Sequence, residues 1–577
     1  MGLLLLLCLT SLGLACSGSQ KKKDQGLTQN GLKIPEHFKN IPADSPYVMT
    51  SLKVLPYDQL AWDLDKQYTQ SMQWLRKVSE ETFKNYGDYE NMPTSARTMM
   101  AVVEELSAYK SVKELSAIGL TPYGHFSFYG IGAFPAVRVE LEDGKKFEQF
   151  VQRIEARVGA SMPSRDIQGF KVRYADDNQM IFPLIVTDNE LLLGMSSASF
   201  SEEYISYLTG TKKPEKSLYD DNKLLTMQEK YNMLPYISGY FDVQAMAAPF
   251  LDTASTSLTA RSIRSIDGAE MPQLSEVCRA EYASITKTFP RAIFGYTEVS
   301  RASLKARAGL EMTNDVPSNL KAIKTSAPAY NSDLRKNALF AMTMGINVDT
   351  AIEVLRKEAQ RIGSDPYQCG DLQWINESAE EFFFNAQMIP VTFRSILGTS
   401  FILKDLDFSV RDRRINNIEV MAVSYNPDPD TFFRALKLFV PELLGNLEIK
   451  PNLQPVTVPL PMEVSSQLQG MPAPMMVMSS QALGLSIGSA MQSEATSYTK
   501  TVSQDDAPLF SLTYDMNRIM DIFRGIMQET GASSTEDITN MNAMLGMYDM
   551  LGPATVAFDV QDEGFFFSVD TVMKPKE

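Results

Sequence analysis

The chain has 577 residues, 44% hydrophobic and 10% aromatic, with a formal net charge of −16 at pH 7. That is the composition of a packed globular protein, and its length predicts about two to four domains. The acidic balance excludes nucleic acid as a partner, because binding it needs basic patches that displace counterions.

The first element is an apolar run from Leu3 to Ala15, followed by Cys16 and the polar stretch "SGSQKKKD". A membrane-spanning helix takes about 20 apolar residues and a signal-peptide core about 7–15, so the run predicts a signal peptide. Its end, "LGLAC" (Leu12 to Cys16), resembles the lipobox of bacterial lipoproteins. The resemblance implies that residues 1–15 are removed and that Cys16 is lipidated. Several acyl chains on one residue hold a protein firmly, since each buried methylene contributes about 0.8 kcal/mol. Ser17 resembles the residue that directs such proteins to the outer rather than the inner membrane. Residues 16–44 are polar, with Gly and Pro, which predicts a tether unable to bury a core.

The folded part is expected from residue 45. There "IPADSPYVMTSLKVLP" resembles the "PADTPYV"-like first strand of a loose group of large envelope lipoproteins. That group supplies no catalytic residue to transfer.

An apolar strand leading into an amphipathic helix is predicted four times, from Pro46, Pro235, Ala338 and Pro508. In the third, Val348, Ile352 and Leu355 share a helical face; in the fourth, Met516, Ile519 and Phe523 do. "FPAVRVELEDGKKFEQFVQRI" from Phe134 matches "IEVMAVSYNPDPDTFFRALKLF" from Ile418, each a strand, a turn and a helix. Asp143 and Asp430 are the expected N-caps, accepting from free N–H groups of the first turn. "PLIVTDNELLLGMSSASFSEEY" from Pro183 matches "PMMVMSSQALGLSIGSAMQSEA" from Pro474, two strands and a helix. Hairpins are expected from Phe294 and from Ala554. Matching pieces lie roughly 260–295 residues apart, the signature of duplication. The expected fold is α+β, with two homologous halves, 45–313 and 337–577, joined by a linker over 314–336. Each half is expected to pack helices on one face of antiparallel sheets.

Four cysteines are present. Cys8 leaves with the signal and Cys16 takes the lipid. Cys278 and Cys369 remain, and an even pair in an oxidising compartment predicts a disulfide. Lying either side of the linker, they are expected to staple one half to the other.

Chemistry is sparsely signalled. Of two histidines, His37 falls in the tether and His125 in an aromatic strand, where a structural role is expected. "GLSIG" matches the G-x-S-x-G elbow at Ser486, but that site needs a later histidine and none follows residue 125. Carboxylates in "NESAEEFFF" and "DGAEMPQLSE" fit solvated faces. Met541, Met544, Met547 and Met550 recur at steps of three. They suit core packing, an apolar-ligand groove or a Cu(I) site. No catalytic, metal or cofactor-binding residue is assigned, and no cofactor is expected. The expected protein is a non-enzymatic binding or assembly lipoprotein. Its partners are the membrane through its lipid and an envelope protein or hydrophobic ligand, with the cleft between halves as the default site. The alternatives are a carrier or holdase for hydrophobic cargo such as lipid, and a carboxylate-dependent hydrolase.

Overall fold

The structure, a computed structural model, describes residues 34–55, 64–83, 92–122, 124–177, 179–266, 273–313, 316–409, 411–412, 414–460, 472–503, 507–530 and 551–573. The Cys16 assignment, the methionines from Met541 to Met550 and most of "DGAEMPQLSE" lie outside these residues. No described helix is long and apolar enough to cross a membrane.

The chain divides into two compact units. Unit 1 holds residues up to Leu274 and Tyr282–Ala302; unit 2 holds Ser275–Glu281 and Ser303–Met573. Both are mixtures of helices and antiparallel strands. Unit 1 contains β1 (Tyr47–Ser51), β2 (Phe126–Ile131), β3 (Phe134–Glu140), β4 (Ser164–Ile167), β5 (Phe170–Asp177), β6 (Met180–Val186), β7 (Glu190–Gly194), β8 (Ser196–Ser197), β9 (Ile237–Asp242) and β10 (Arg291–Val299). Pairing sets them in the order β10-β9-β1-β2-β3-β7-β6-β5-β4, with β8 also on β6.

Unit 2 contains β11 (Ser303–Glu311), β12 (Phe340–Met344), β13 (Gly398–Ser409), β14 (Arg414–Tyr425), β15 (Val456–Thr457), β16 (Met475–Met478), β17 (Ala482–Ile487), β18 (Phe510–Tyr514), β19 (Leu551–Gln561) and β20 (Gly564–Met573). Their order is β11-β20-β19-β18-β12-β13-β14-β17-β16-β15. The run β10-β9-β1-β2-β3-β7-β6 and the run β19-β18-β12-β13-β14-β17-β16 are the same permutation of chain order.

The helices that matter in unit 1 are α1 (Leu64–Phe83), α2 (Thr94–Ser107), α3 (Gly144–Val158), α4 (Ser201–Thr209) and α5 (Val243–Leu251). Helix α6 (Glu276–Thr288) carries residues of both units. Unit 2 has α7 (Val348–Ser364), α8 (Gln373–Met388), α9 (Pro429–Phe439), α10 (Ser489–Lys500) and α11 (Met516–Thr530). Helices cover both faces of each sheet, not one as expected. In unit 1, α1, α2 and α3 join a core with Val137 and Val139 of β3. On the opposite side of that pleat, Arg138 donates to the carbonyl of Leu208 in α4. In unit 2, α10 packs on Ala482 through Met491 and Ala495, while α9 packs on Leu483 through Phe432 and Phe433. A glycine permits the close approach in each unit. A Cβ on Gly194 of β7 would strike the Tyr204 ring of α4, and one on Gly484 of β17 would strike Thr499 of α10.

Three boundaries differ from the sequence reading. Residues 34–44, expected as tether, are packed: Ile34, Phe38 and Ile41 are buried around a 3₁₀ turn, Glu36–Asn40. The expected linker 314–336 belongs to unit 2, with Ile323, Ala327 and Arg335 buried. Strand β11 also belongs to unit 2, because it pairs with β20 along its whole length. The cap of α9 is Asp428, which accepts from the Thr431 N–H at 3.1 Å. Pro429 takes the first helical position, where no N–H is needed, and this moves Asp430 inside the first turn. Leu355 and Phe523, expected on buried faces, are exposed.

Candidate functional site

Helices α1, α2 and α3 lie over β5, β6 and β7 and do not fill the space beneath them. A cavity of about 400 Å³ remains, entirely within unit 1. Its floor includes Leu184, Leu191 and Leu193, which register and alternation place on one side of the sheet. Met72 of α1, Val102 and Leu106 of α2, and Phe147, Val151 and Ile154 of α3 form the walls. Helix α3 holds its face inward because its apolar residues recur at helical spacing and Asp143 fixes its start, accepting from the N–H groups of Lys145 and Lys146. Thr94, Ser95, Ala160 and Ser161 line one end and are exposed, so the cavity reaches solvent between the start of α2 and the turn after α3.

Ion pairs fasten α2 to α3 above the cavity. Arg153 meets Glu105 at 2.7 Å and Arg157 meets Glu104 at 2.8 Å. At the open end, Arg97 donates to the Val158 carbonyl at 3.2 Å. The lining is sparingly polar. The Tyr68 hydroxyl donates to the Leu106 carbonyl at 2.6 Å, and burial raises its pKa. Thr98 donates to the Thr94 carbonyl at 2.8 Å. The Glu155 carboxylate accepts from Arg173 at 3.2 Å and from the Met162 N–H at 3.0 Å. Arg173 also pairs with Glu148, and that hydrogen bond holds the Glu148 carboxyl below the usual carboxylate range. Among the described residues, the buried Oε1 atoms of Gln67 and Gln70 on α1 have no hydrogen-bond partner.

The chain was compared with protein-family models, curated proteins and solved structures. Nothing matches. Its chemistry therefore rests on the geometry.

Cys278 and Cys369 are joined, with Cα atoms 4.8 Å apart. Both fall in unit 2, so the bond does not staple one unit to the other as expected. Glu281, one turn along α6 from Cys278, accepts from the Gln368 and Cys369 N–H groups at 2.7 and 3.0 Å. Ser486 is the penultimate residue of β17, buried between Met421 and Met475 and still paired in the sheet, two residues before the turn at Gly488 into α10. Glu377, Glu380 and Glu381 of "NESAEEFFF" are exposed on α8. His125 Nδ1 lies 3.2 Å from the Ser51 carbonyl, and its ring is 6.0 Å from that of His37.

Sequence reasoning missed the cavity. Its lining spans residues 64–194 over seven helices and strands, and no local pattern signals that three helices leave space beneath them. The available hint was the density of apolar residues on α3 facing strands that were already apolar.

Proposed function

We propose that this chain is a membrane-tethered binding protein of the bacterial envelope. It is exported by residues 1–15, anchored through Cys16 to the outer membrane, and carries a long-chain apolar ligand in unit 1. One observation carries the reading: an apolar cavity of about 400 Å³ with one end open to solvent. Pockets of about 300–1,000 Å³ are the usual size for small ligands. A hydrocarbon chain entering it is stabilised by about 25 cal/mol for each Å² of apolar surface removed from water. Of the functions open to the sequence, a carrier of hydrophobic cargo fits these walls better than a hydrolase. The protein holds its ligand and does not turn it over.

The test uses the full chain and N-phenyl-1-naphthylamine, a neutral probe that fluoresces in apolar surroundings. Wild type should bind it at one site and release it to 1-decanol. Leu184→Trp fills the cavity from β6 and should weaken binding by about tenfold or more, equivalent to about 1.4 kcal/mol. The far-ultraviolet dichroism should stay the same. No binding by wild type, or equal binding by the variant, contradicts the proposal.

An envelope-assembly role keeps one support. In unit 2, Phe384, Met388, Val391, Leu438 and Phe439 are exposed apolar side chains, and such surfaces often mark protein interfaces. A photo-crosslinker at Phe384 should then give one discrete adduct in native membranes; no adduct removes this support.

The two units also read as copies of one ancestral unit. Their seven-strand runs share one order, and helices follow equivalent strands. The caps Asp143 and Asp428 begin equivalent helices, as do Asp242 and Asp515. Each unit further carries a buried row of Ser, Thr and Ser on equivalent strands: Ser238–Thr50–Ser127 and Ser511–Thr343–Ser400.

A further inference from the structure

Glu155 is the one charged residue on the described lining of the cavity. Its carboxylate is only half used. Oε1 accepts both protein hydrogen bonds, from Arg173 Nε at 3.2 Å and from the Met162 N–H at 3.0 Å. Oε2 accepts from no described residue and remains accessible. The cation behind it is already committed. The buried Arg173 guanidinium gives both its Nη groups to Glu148, so one cation serves two carboxylates. Lys171 adds only an exposed contact to Glu148, at 3.4 Å. The surplus negative charge of this triad lies on the cavity side, at Glu155. Met162 belongs to the turn after α3, and Ala160 and Ser161 of that turn line the open end. Glu155 therefore stands where the apolar interior meets the mouth.

We propose that Glu155 is the specificity residue of the cavity and selects a long-chain ligand whose head is an ammonium group, one N–H of which is donated to Oε2. The inference rests on the cavity being a ligand site. Chemistry sets both the class and the orientation, with the hydrocarbon chain against the apolar walls and the head at the mouth. A ligand that fills the cavity shuts water away from Oε2, and a carboxylate oxygen left unpaired is costly. An ammonium head removes that cost with a charge-assisted hydrogen bond. An ether or ester can only accept, and leaves Oε2 unpaired. A carboxylate or phosphate head brings a like charge to Glu155. Sites built to hydrogen-bond one group of a ligand reject analogues lacking it for this reason.

The experiment displaces N-phenyl-1-naphthylamine from the full chain at pH 7 with three probes of matched length: decylammonium, 1-methoxynonane and decanoate. In wild type, decylammonium should bind on the order of tenfold tighter than 1-methoxynonane, the gain expected for a hydrogen bond to a charged group, and decanoate should bind weakest. Glu155→Gln keeps an acceptor for the Met162 N–H and removes the charge. It should weaken decylammonium by about fivefold or more and leave 1-methoxynonane unchanged. If that variant does not fold, the wild-type comparison decides alone. Equal binding of decylammonium and ether by wild type, or tightest binding of decanoate, overturns the assignment and leaves the cavity as a site. A preference that survives in Glu155→Gln overturns it too, since the ammonium is then read elsewhere. Failure of every probe to bind, N-phenyl-1-naphthylamine included, overturns the cavity as a site and the assignment with it.

Discussion

Thr50 and Thr343 hold equivalent positions in the two units, each the buried middle member of a cross-strand row with a serine on either side. Thr50 faces Ser238 on β9 and Ser127 on β2; Thr343 faces Ser511 on β18 and Ser400 on β13. In unit 1, Thr50 and Ser127 share a hydrogen bond of 2.6 Å, and Gln228 donates to Ser238 at 2.7 Å. In unit 2, Thr343 bonds Ser511, and Ser400 donates to the Pro328 carbonyl. All six hydroxyls lie within a sheet interior where water cannot replace a missing partner.

Thr50→Val and Thr343→Val should each therefore destabilise their own unit by about 1–3 kcal/mol, and Thr→Ser at either position by much less. Chemical denaturation followed by hydrogen exchange within each unit measures this. A valine variant as stable as wild type would show that the rows contribute nothing.

His37 makes unit 1 acid-sensitive. Its Nε2 lies 2.9 Å from Ser127 Oγ, and burial, then the nearby Arg138 and His125, lower its pKa well below 6.5. In the folded chain His37 stays neutral; in the unfolded chain it takes a proton below about pH 6.5. The unfolded state then binds more protons, so stability falls as pH drops through that value. Thermal unfolding at pH 7.5 and 5.5 should show a larger loss for wild type than for His37→Gln. Equal losses would remove His37 as the cause.

The Cys278–Cys369 bond closes a separation of 91 residues. Loop-closure entropy gives it roughly 4–5 kcal/mol of stabilisation, expressed in unit 2. Denaturation midpoints with and without reductant should differ accordingly. Mass spectrometry of the native chain should find neither thiol alkylated; two alkylated thiols would show that the bond is absent.

Asp428→Ala should lower the denaturation midpoint by removing a helix cap, whereas Asp430→Ala removes only an exposed pairing with Arg434 and should lower it less. The reverse order in denaturation midpoints would return the cap to Asp430.

That pair marks how far the sequence could be read. The strand-to-helix alternation was legible because periods of 2 and 3.6 are local, and so β12 leading into α7, β18 into α11, and the β19–β20 hairpin stand where expected. The Cys278–Cys369 pair followed from counting cysteines. Asp430 was misread because two aspartates flank Pro429, and only the backbone decides which one faces the free N–H groups. The packing of Phe38 and Ile41 was hidden by polar neighbours. The serine and threonine rows depend on strand register across more than 70 residues of chain.

The central claim is that unit 1 holds an apolar ligand in that space. Native mass spectrometry of the full chain, purified gently from the cells that make it, tests it most directly. Wild type should carry one long-chain lipid, and Leu184→Trp should carry none. A wild-type chain free of lipid, or lipid retained equally by the filled variant, would contradict it.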